Sequence, residues 1–489
     1  MKKLSRQDKP TPQKTVVAQF GEGNFLRAFT DHMIDIANEQ GVFNGGVAVI
    51  KPIPAGSFEA FDKQDNLFTV ILRGQVDGAP VIDHRVVGSV TKTIDPFSDY
   101  DAYLNLARGE DLRFVVSNTT EAGITLDETD SFDKKPANSF PGKLVQFLYA
   151  RYEHFAGAVD KGLIILPVEL IDQNGTKLHD CVRRLIALWN LPAEFATWVD
   201  DNCMFCNTLV DRIVSGYPAG EAEELERNLL GYKDDLIVIG EPFGIWVIGH
   251  LRHQEIQAEF PLDRAGMPLV FTDDYRPYRE RKVRVLNGAH TSIAMVGYLA
   301  GFDTVSEAMS DSLTRKFIEC AVYEEIVPVV PKAAALTNEN VREFLERFEN
   351  PFLRHELLDI ALNSVSKWKA RVLPSLKDSL TMTGILPPCL TFSLAALLMF
   401  YRSTEQGDGC LIGHRGDATY PIRDDAHILA FFAEHAAHPI ATYVPAVLGN
   451  DTFWGEDLNA LPGMTDLITG YCEAISQDSA RVAIEAVLA

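Results

Sequence analysis

Lys282, Asn287 and His290 stand in the stretch RKVRVLNGAHTSIAMVG, from Arg281 to Gly297, which otherwise has the apolar density of a buried helix. On an α-helix turning about 100° per residue, Asn287 falls about 140° and His290 about 80° around from Lys282, so the three share one side. Asn287 and His290 are neighbours at i,i+3, and a lysine stem reaches along the axis toward them. Oxidising a secondary alcohol requires a base for the hydroxyl proton and donors for the developing oxyanion. A desolvated lysine can be that base and can return the proton in the reductive direction. Asn287 can donate to the oxygen, and His290 can orient the lysine or a substrate hydroxyl, with no metal required. The same three residues also suit a half-exposed helix that has no chemistry to do.

A second candidate lies in QFGEGNFLRAF, where Gln19, Phe20, Gly21, Glu22, Gly23, Asn24, Phe25, Leu26 and Arg27 join an apolar strand to an amphipathic helix. Backbone amides at such a turn, with the helix N-terminus behind them, can hold a pyrophosphate. Leu26 stands where a dinucleotide fingerprint has its third glycine, and the spacing also describes a plain tight turn. The next strand, GVAVIKP, ends in Lys51 instead of an acidic residue for the ribose. That leaves NAD against NADP open, since the lysine suits a ribose phosphate or a solvated strand end.

The elements that must position these residues follow from hydrophobic periodicity. TVVAQF, the helix LRAFTDHMIDIANEQ and GVAVI form a strand-helix-strand unit of the parallel-sheet type. Further buried strands are expected at LFTVILR, LRFVVS, GLIILP and LIVIG, with helices such as GKLVQFLYARYEHF between them. Beyond MPLVFTDDYRP strand patterns nearly vanish. The expected fold is therefore α/β: a Rossmann-type dinucleotide-binding domain over residues 1–272, then a mostly α-helical domain over 273–489, in a chain of 489 residues too long for one core.

A formal charge of −23 disfavours nucleic acid and anionic membrane surfaces as partners, while a small anionic substrate needs only a local cluster of cations. The basic N-terminus lacks the apolar segment of a signal peptide, and the seven scattered cysteines suit a reducing compartment, so a cytoplasmic location is expected. The most apolar window, CLTFSLAALLMFY, is shorter than the ~20 residues a bilayer requires and reads as a core or interface helix. CMFC at Cys203 to Cys206 reads as core packing. HLRH and HAAH have ligand-like spacing but no third ligand beside them, so no metal is expected. Neither a phosphate loop of the kinase type nor a serine-hydrolase elbow is present.

Together the two stretches resemble the polyol-specific long-chain dehydrogenases, the mannitol dehydrogenase family. Its nucleotide signature G-x-G-x-F-x-R-A is matched by Gly21, Gly23, Phe25, Arg27 and Ala28, and its catalytic signature K-x-x-x-x-N-x-x-H by Lys282, Asn287 and His290. QDNLFT, SNTTEAGI and LVDRIVSGYP are also similar to the family, the second adding Asn118 to the cofactor residues. The resemblance implies an NAD-dependent, zinc-independent enzyme in which the lysine is the general acid/base and the asparagine and histidine assist.

Within the family the chain looks closest to a branch that reduces keto-hexuronates to aldonates, which implies a small sugar-acid substrate. It departs from the mannitol enzymes at Leu170, in place of an asparagine that shares the oxyanion role; at Arg279, in place of a carboxylate; and at Asp359, in place of a polyol-binding arginine. A uronate carboxylate calls for a cation, and the candidates are Lys367, Arg371 and Arg279. The competing readings are another keto-hexuronate, a polyol, or a dinucleotide-binding sensor without catalysis. Oligomeric state is not encoded in any of these patterns.

Overall fold

Short runs rich in Val, Ile and Phe, apolar at every position, form strands only where both faces are covered, and the first half of the chain supplies them at regular intervals. The computed structural model describes residues 2–7, 9–12, 14–120, 122–331 and 336–489. Internal contacts divide the chain into two units, one running through Gly74 and from Pro80 to Tyr275, the other comprising Gln75–Ala79 and Arg276–Ala489.

The first unit is built on a six-stranded sheet: β1 (Thr15–Phe20), β2 (Gly46–Ile50), β3 (Val90–Ile94), β4 (Phe114–Ser117), β5 (Ile164–Pro167) and β6 (Met204–Phe205). All neighbours are parallel and the spatial order is 3-2-1-4-5-6. That is the doubly wound dinucleotide-binding order, with its reversal between β1 and β4. The two faces alternate along each strand. Val17, Val49 and Val116 enter one core, and Ala18, Phe20, Ile50 and Val115 the other. The parallel Rossmann-type sheet expected from the sequence is therefore present.

Two of the expected buried strands pair elsewhere. Phe68–Val76 and Val238–Gly240 join a separate four-stranded sheet with Ala79–Val87 and Val214–Gly216. A three-stranded sheet of Asn207–Asp211, Ile245–Gly249 and Leu269–Thr272 completes the strands near the end of the unit. Burial on both faces is the same signal in any interior sheet, so the pattern identified strands without identifying their partners.

The second unit is mostly helical, interrupted by the antiparallel hairpin of Leu411–Arg415 with Ala418–Ile422. Its centre is the helix Pro388–Tyr401, in which twelve of fourteen residues are buried, as its all-round apolar character requires. It packs on Gly288–Leu299 and Met464–Gln477. Among the described residues no helix is long and apolar enough to cross a membrane.

Candidate active site

The glycine turn sits where β1 and β4 diverge, at the reversal of strand order. Gly21 has φ +127°, and a Cβ there would stand 3.1 Å from both the Asn118 carbonyl oxygen and Leu26 Cδ1. The Gly21 N–H donates to Ile50 O at 3.0 Å and the Asn118 N–H to Phe20 O at 3.1 Å, so the ends of three strands define the turn. Gly23 has an ordinary φ of −65° and caps the helix that follows. A Cβ at Gly23 would meet nothing within 4 Å. What glycine contributes at that position is open space above a helix N-terminus, and this fits the close approach of a pyrophosphate.

The other residues of the turn divide into an inner and an outer set. Gln19 is fully buried and donates from Nε2 to Gly21 O and to Asp31 Oδ2, both at 3.2 Å. Phe20 packs among Tyr103, Phe140 and Phe147, and Leu26 lies in the opposite core. Arg27 is buried against Phe61 and Phe68 and donates to Leu236 O at 2.5 Å and Asn24 Oδ1 at 2.6 Å. Burial brings its guanidinium down to about 10. These four side chains hold the turn from behind. Gly23 and Asn24 are exposed, with Glu22 and Phe25 half-buried beside them. Lys51 is not a solvated strand end: it is buried, and its Nζ lies 3.2 Å from Asp95 Oδ2, so its charge is already matched by a carboxylate following β3.

The second candidate set departs from simple helical spacing. Arg276–Arg281 begins as α-helix, Lys282–Asn287 forms a π turn, and Gly288–Leu299 resumes as α-helix. The Gly288 N–H reaches Val283 O, five residues back. With the widened turn, residues five apart return to nearly the same side. Lys282 and Asn287 therefore lie closer to one line than the 100° increment implies, and His290 follows at i+3. Lys282 and Asn287 are half-buried, while Val285, Leu286 and His290 are buried. Arg284 anchors the turn through Nε to Ser375 Oγ at 3.0 Å and Nη2 to Asp378 Oδ2 at 2.6 Å.

His290 stacks on Phe348 with ring centroids 3.9 Å apart and meets His355 edge-on at 5.1 Å. Burial, reinforced by His355, Arg347 and Arg371, holds its imidazole well below the ordinary histidine range. It is uncharged at neutral pH, with one donor and one acceptor nitrogen. Arg371 lies at the end of the helix Ser364–Arg371, close enough that a Cβ on Gly288 would stand 3.1 Å from its carbonyl oxygen. Its Nη1 is 3.4 Å from Thr291 Oγ1, next in sequence to His290. Lys367 donates from Nζ to Ile360 O at 3.0 Å, on the last carbonyls of the short helix Leu357–Ile360. Arg279 is half-exposed, 3.7 Å from Glu280. Leu170 is 64% exposed and brings no polar group.

Phe348, His355 and Arg347 were not singled out from the sequence. They come from loops and helix ends more than fifty residues beyond His290, and no periodicity links them to it. In HLRH, His250 Nδ1 accepts from the Arg252 N–H at 3.0 Å, and in HAAH His435 stacks on Phe431 at 4.1 Å. The CMFC thiols are buried, that of Cys203 pushed up to about 12, in keeping with packing.

A switch-point glycine turn on a 3-2-1-4-5-6 sheet, followed by a helical unit bearing Lys282, Asn287 and His290, defines a long-chain dehydrogenase. The chain belongs to the mannitol dehydrogenase family: residues 15–260 match the mannitol dehydrogenase Rossmann domain and residues 274–476 the mannitol dehydrogenase C-terminal domain. It is 42% identical to an altronate oxidoreductase of Yersinia enterocolitica, over 99% of this chain and 100% of that one. It is 43% identical to the altronate oxidoreductase of Klebsiella pneumoniae, over 99% of both. Substrate-free D-sorbitol dehydrogenase shares the fold with a TM-score of 0.80 at 20% identity, covering 99% of this chain and 100% of that one. Pseudomonas fluorescens mannitol 2-dehydrogenase, solved with NAD and D-mannitol, does so at 0.69 and 19%, covering 99% of both.

Proposed function

We propose that this chain catalyses the NAD-dependent interconversion of tagaturonate and altronate in hexuronate catabolism. The observation that carries the reading is the 42–43% identity to altronate oxidoreductases over essentially the whole of each chain. The carboxylate-matched Lys51 fits NAD better than a cofactor with an additional ribose phosphate. When bound, the nicotinamide supplies or accepts the hydride.

Lys282 gives a proton to the ketone oxygen as the carbon is reduced, and removes it from the alcohol in the reverse direction. Asn287, brought toward the same line by the π turn, donates a hydrogen bond to that oxygen as negative charge builds. His290, neutral in its buried seat, accepts from a substrate hydroxyl or orients Lys282. Arg371 pairs with the substrate carboxylate, because Lys367 already caps a helix end and Arg371 lies beside Thr291 on the catalytic helix. On this reading the substrate is a small soluble sugar acid and the enzyme is cytoplasmic.

The test is oxidation of NADH by the purified protein with tagaturonate, fructuronate and fructose in parallel, repeated with NADPH. Preference for tagaturonate with NADH is expected. Preference for fructuronate or fructose would move the substrate and keep the mechanism. Tight NADH binding without turnover on any of the three would identify a sensor instead.

A further inference from the structure

Cys320, Glu325 and Cys389 converge in the second unit, outside every residue assigned above. One ligand atom from each lies within 4.8 Å of the other two. Cys320 and Glu325 stand five residues apart in a π turn, Cys320–Ile326, and the widened turn brings them to one side as it does Lys282 and Asn287. Cys389 enters from the first turn of the central helix Pro388–Tyr401. Glu325 Oε1 and Oε2 each accept a backbone N–H at 2.8 Å, from Cys389 and Leu390, which orients the carboxylate, and the Cys389 side chain hydrogen-bonds it as well. The three side chains come from two elements, and Cys320 is half-buried, giving access from solvent.

A dication bound among the three groups would deprotonate the thiols it binds. Two thiolates and a carboxylate are zinc ligands, and bond lengths of about 2.0–2.3 Å call for a contraction of the cluster of about 1 Å.

We propose that Cys320, Glu325 and Cys389 form a structural binding site for a thiophilic divalent cation of the zinc class, with solvent as the fourth ligand. The ion ties the π turn to the start of Pro388–Tyr401, the helix against which the His290-bearing helix packs. The π turn that carries Cys320 and Glu325 packs against Lys282–Asn287, but none of the three ligands is among the residues assigned to the proton chemistry, and the ion is given no part in hydride transfer.

Full-length, tag-free protein, stripped with a chelator under reducing conditions, is titrated with Co2+ and then Zn2+. One Co2+ per chain is expected, with thiolate-to-metal charge-transfer absorption, displacement by Zn2+ and a rise in Tm. Cys320→Ser, at the half-buried ligand, is expected to abolish the charge-transfer band and weaken binding about 100-fold. Cys410→Ser, at a half-buried thiol elsewhere, leaves both unchanged. Absence of the band in the wild-type protein, or its survival in Cys320→Ser, overturns the site. So does recovery of a Cys320 to Cys389 disulfide without bound metal.

Discussion

The carbonyl oxygen of Asn118 lies 3.1 Å from the point where a Cβ on Gly21 would stand, so the end of β4 closes directly over the backbone that leaves β1. Two glycines in one turn therefore fail in different ways. Gly21→Ala meets both a positive φ and a backbone oxygen that cannot yield, and destabilisation of roughly 1–3 kcal/mol is expected. Gly23→Ala meets no protein atom, so its Tm should stay near that of the wild type while NADH affinity falls at least about tenfold. Thermal unfolding and NADH fluorescence titration of the two variants separate the roles.

Lys282→Ala removes the proposed proton donor and should lower kcat by about 100-fold to 10,000-fold in both directions. NADH binding should be unchanged. Stopped-flow measurement of NADH oxidation with tagaturonate in excess checks both, and unchanged turnover would refute the mechanism.

His290 is held neutral by burial between Phe348 and His355. Its folded-state pKa is depressed, so it stays uncharged as pH falls through the ordinary histidine range near 6.5. The kcat profile should carry no limb from His290 near that pH. NMR titration of the labelled imidazole should show the neutral form persisting below pH 6.5, whereas a midpoint there would contradict the placement of the ring.

Arg371→Ala should raise KM for a keto-uronate by about 10-fold to 100-fold, the worth of one charge-assisted hydrogen bond. A neutral ketose should be affected far less. Lys367→Ala should instead lower Tm, since its Nζ caps Leu357–Ile360. Steady-state kinetics with both substrates and a thermal scan distinguish the two cations.

Asp31 and His32 lie side by side in the interior, in the helix that follows the glycine turn. Burial brings Asp31 up to about 7 and takes His32 down to about 3. The folded state binds more protons than the unfolded one at Asp31 between pH 3.8 and about 7, so that contribution is full at low pH and is lost on approach to neutrality. His32 acts in the opposite sense: its contribution is present above 6.5 and is lost as pH falls toward about 3. Asp31→Asn removes the first alone. Relative to wild type, the variant should gain stability with rising pH across the Asp31 window, by at most about 1.4 kcal/mol per pH unit, measured by urea unfolding.

Much of this enzyme is readable along the chain. The strand, turn and helix from Thr15 to Ile50 are local patterns, and so is the change to helical periodicity after the last strand. The Lys282, Asn287 and His290 spacing is local as well, but its geometry was not. A π turn costs one residue of helical phase and leaves no mark in hydrophobic periodicity, since Val285 and Leu286 are buried under either pitch.

Residue order determined the Rossmann-type and helical halves, the glycine turn and the identity of the polar residues on the catalytic stretch, because each depends on neighbours within a few positions. Tertiary structure alone decided which strands share a sheet, that Lys51 meets Asp95, that Phe348 and His355 enclose His290, and that Cys320 and Cys389 converge on Glu325. Those relationships join residues tens of positions apart. They are set by how whole elements pack, a free-energy balance over many contacts that no single stretch of sequence contains.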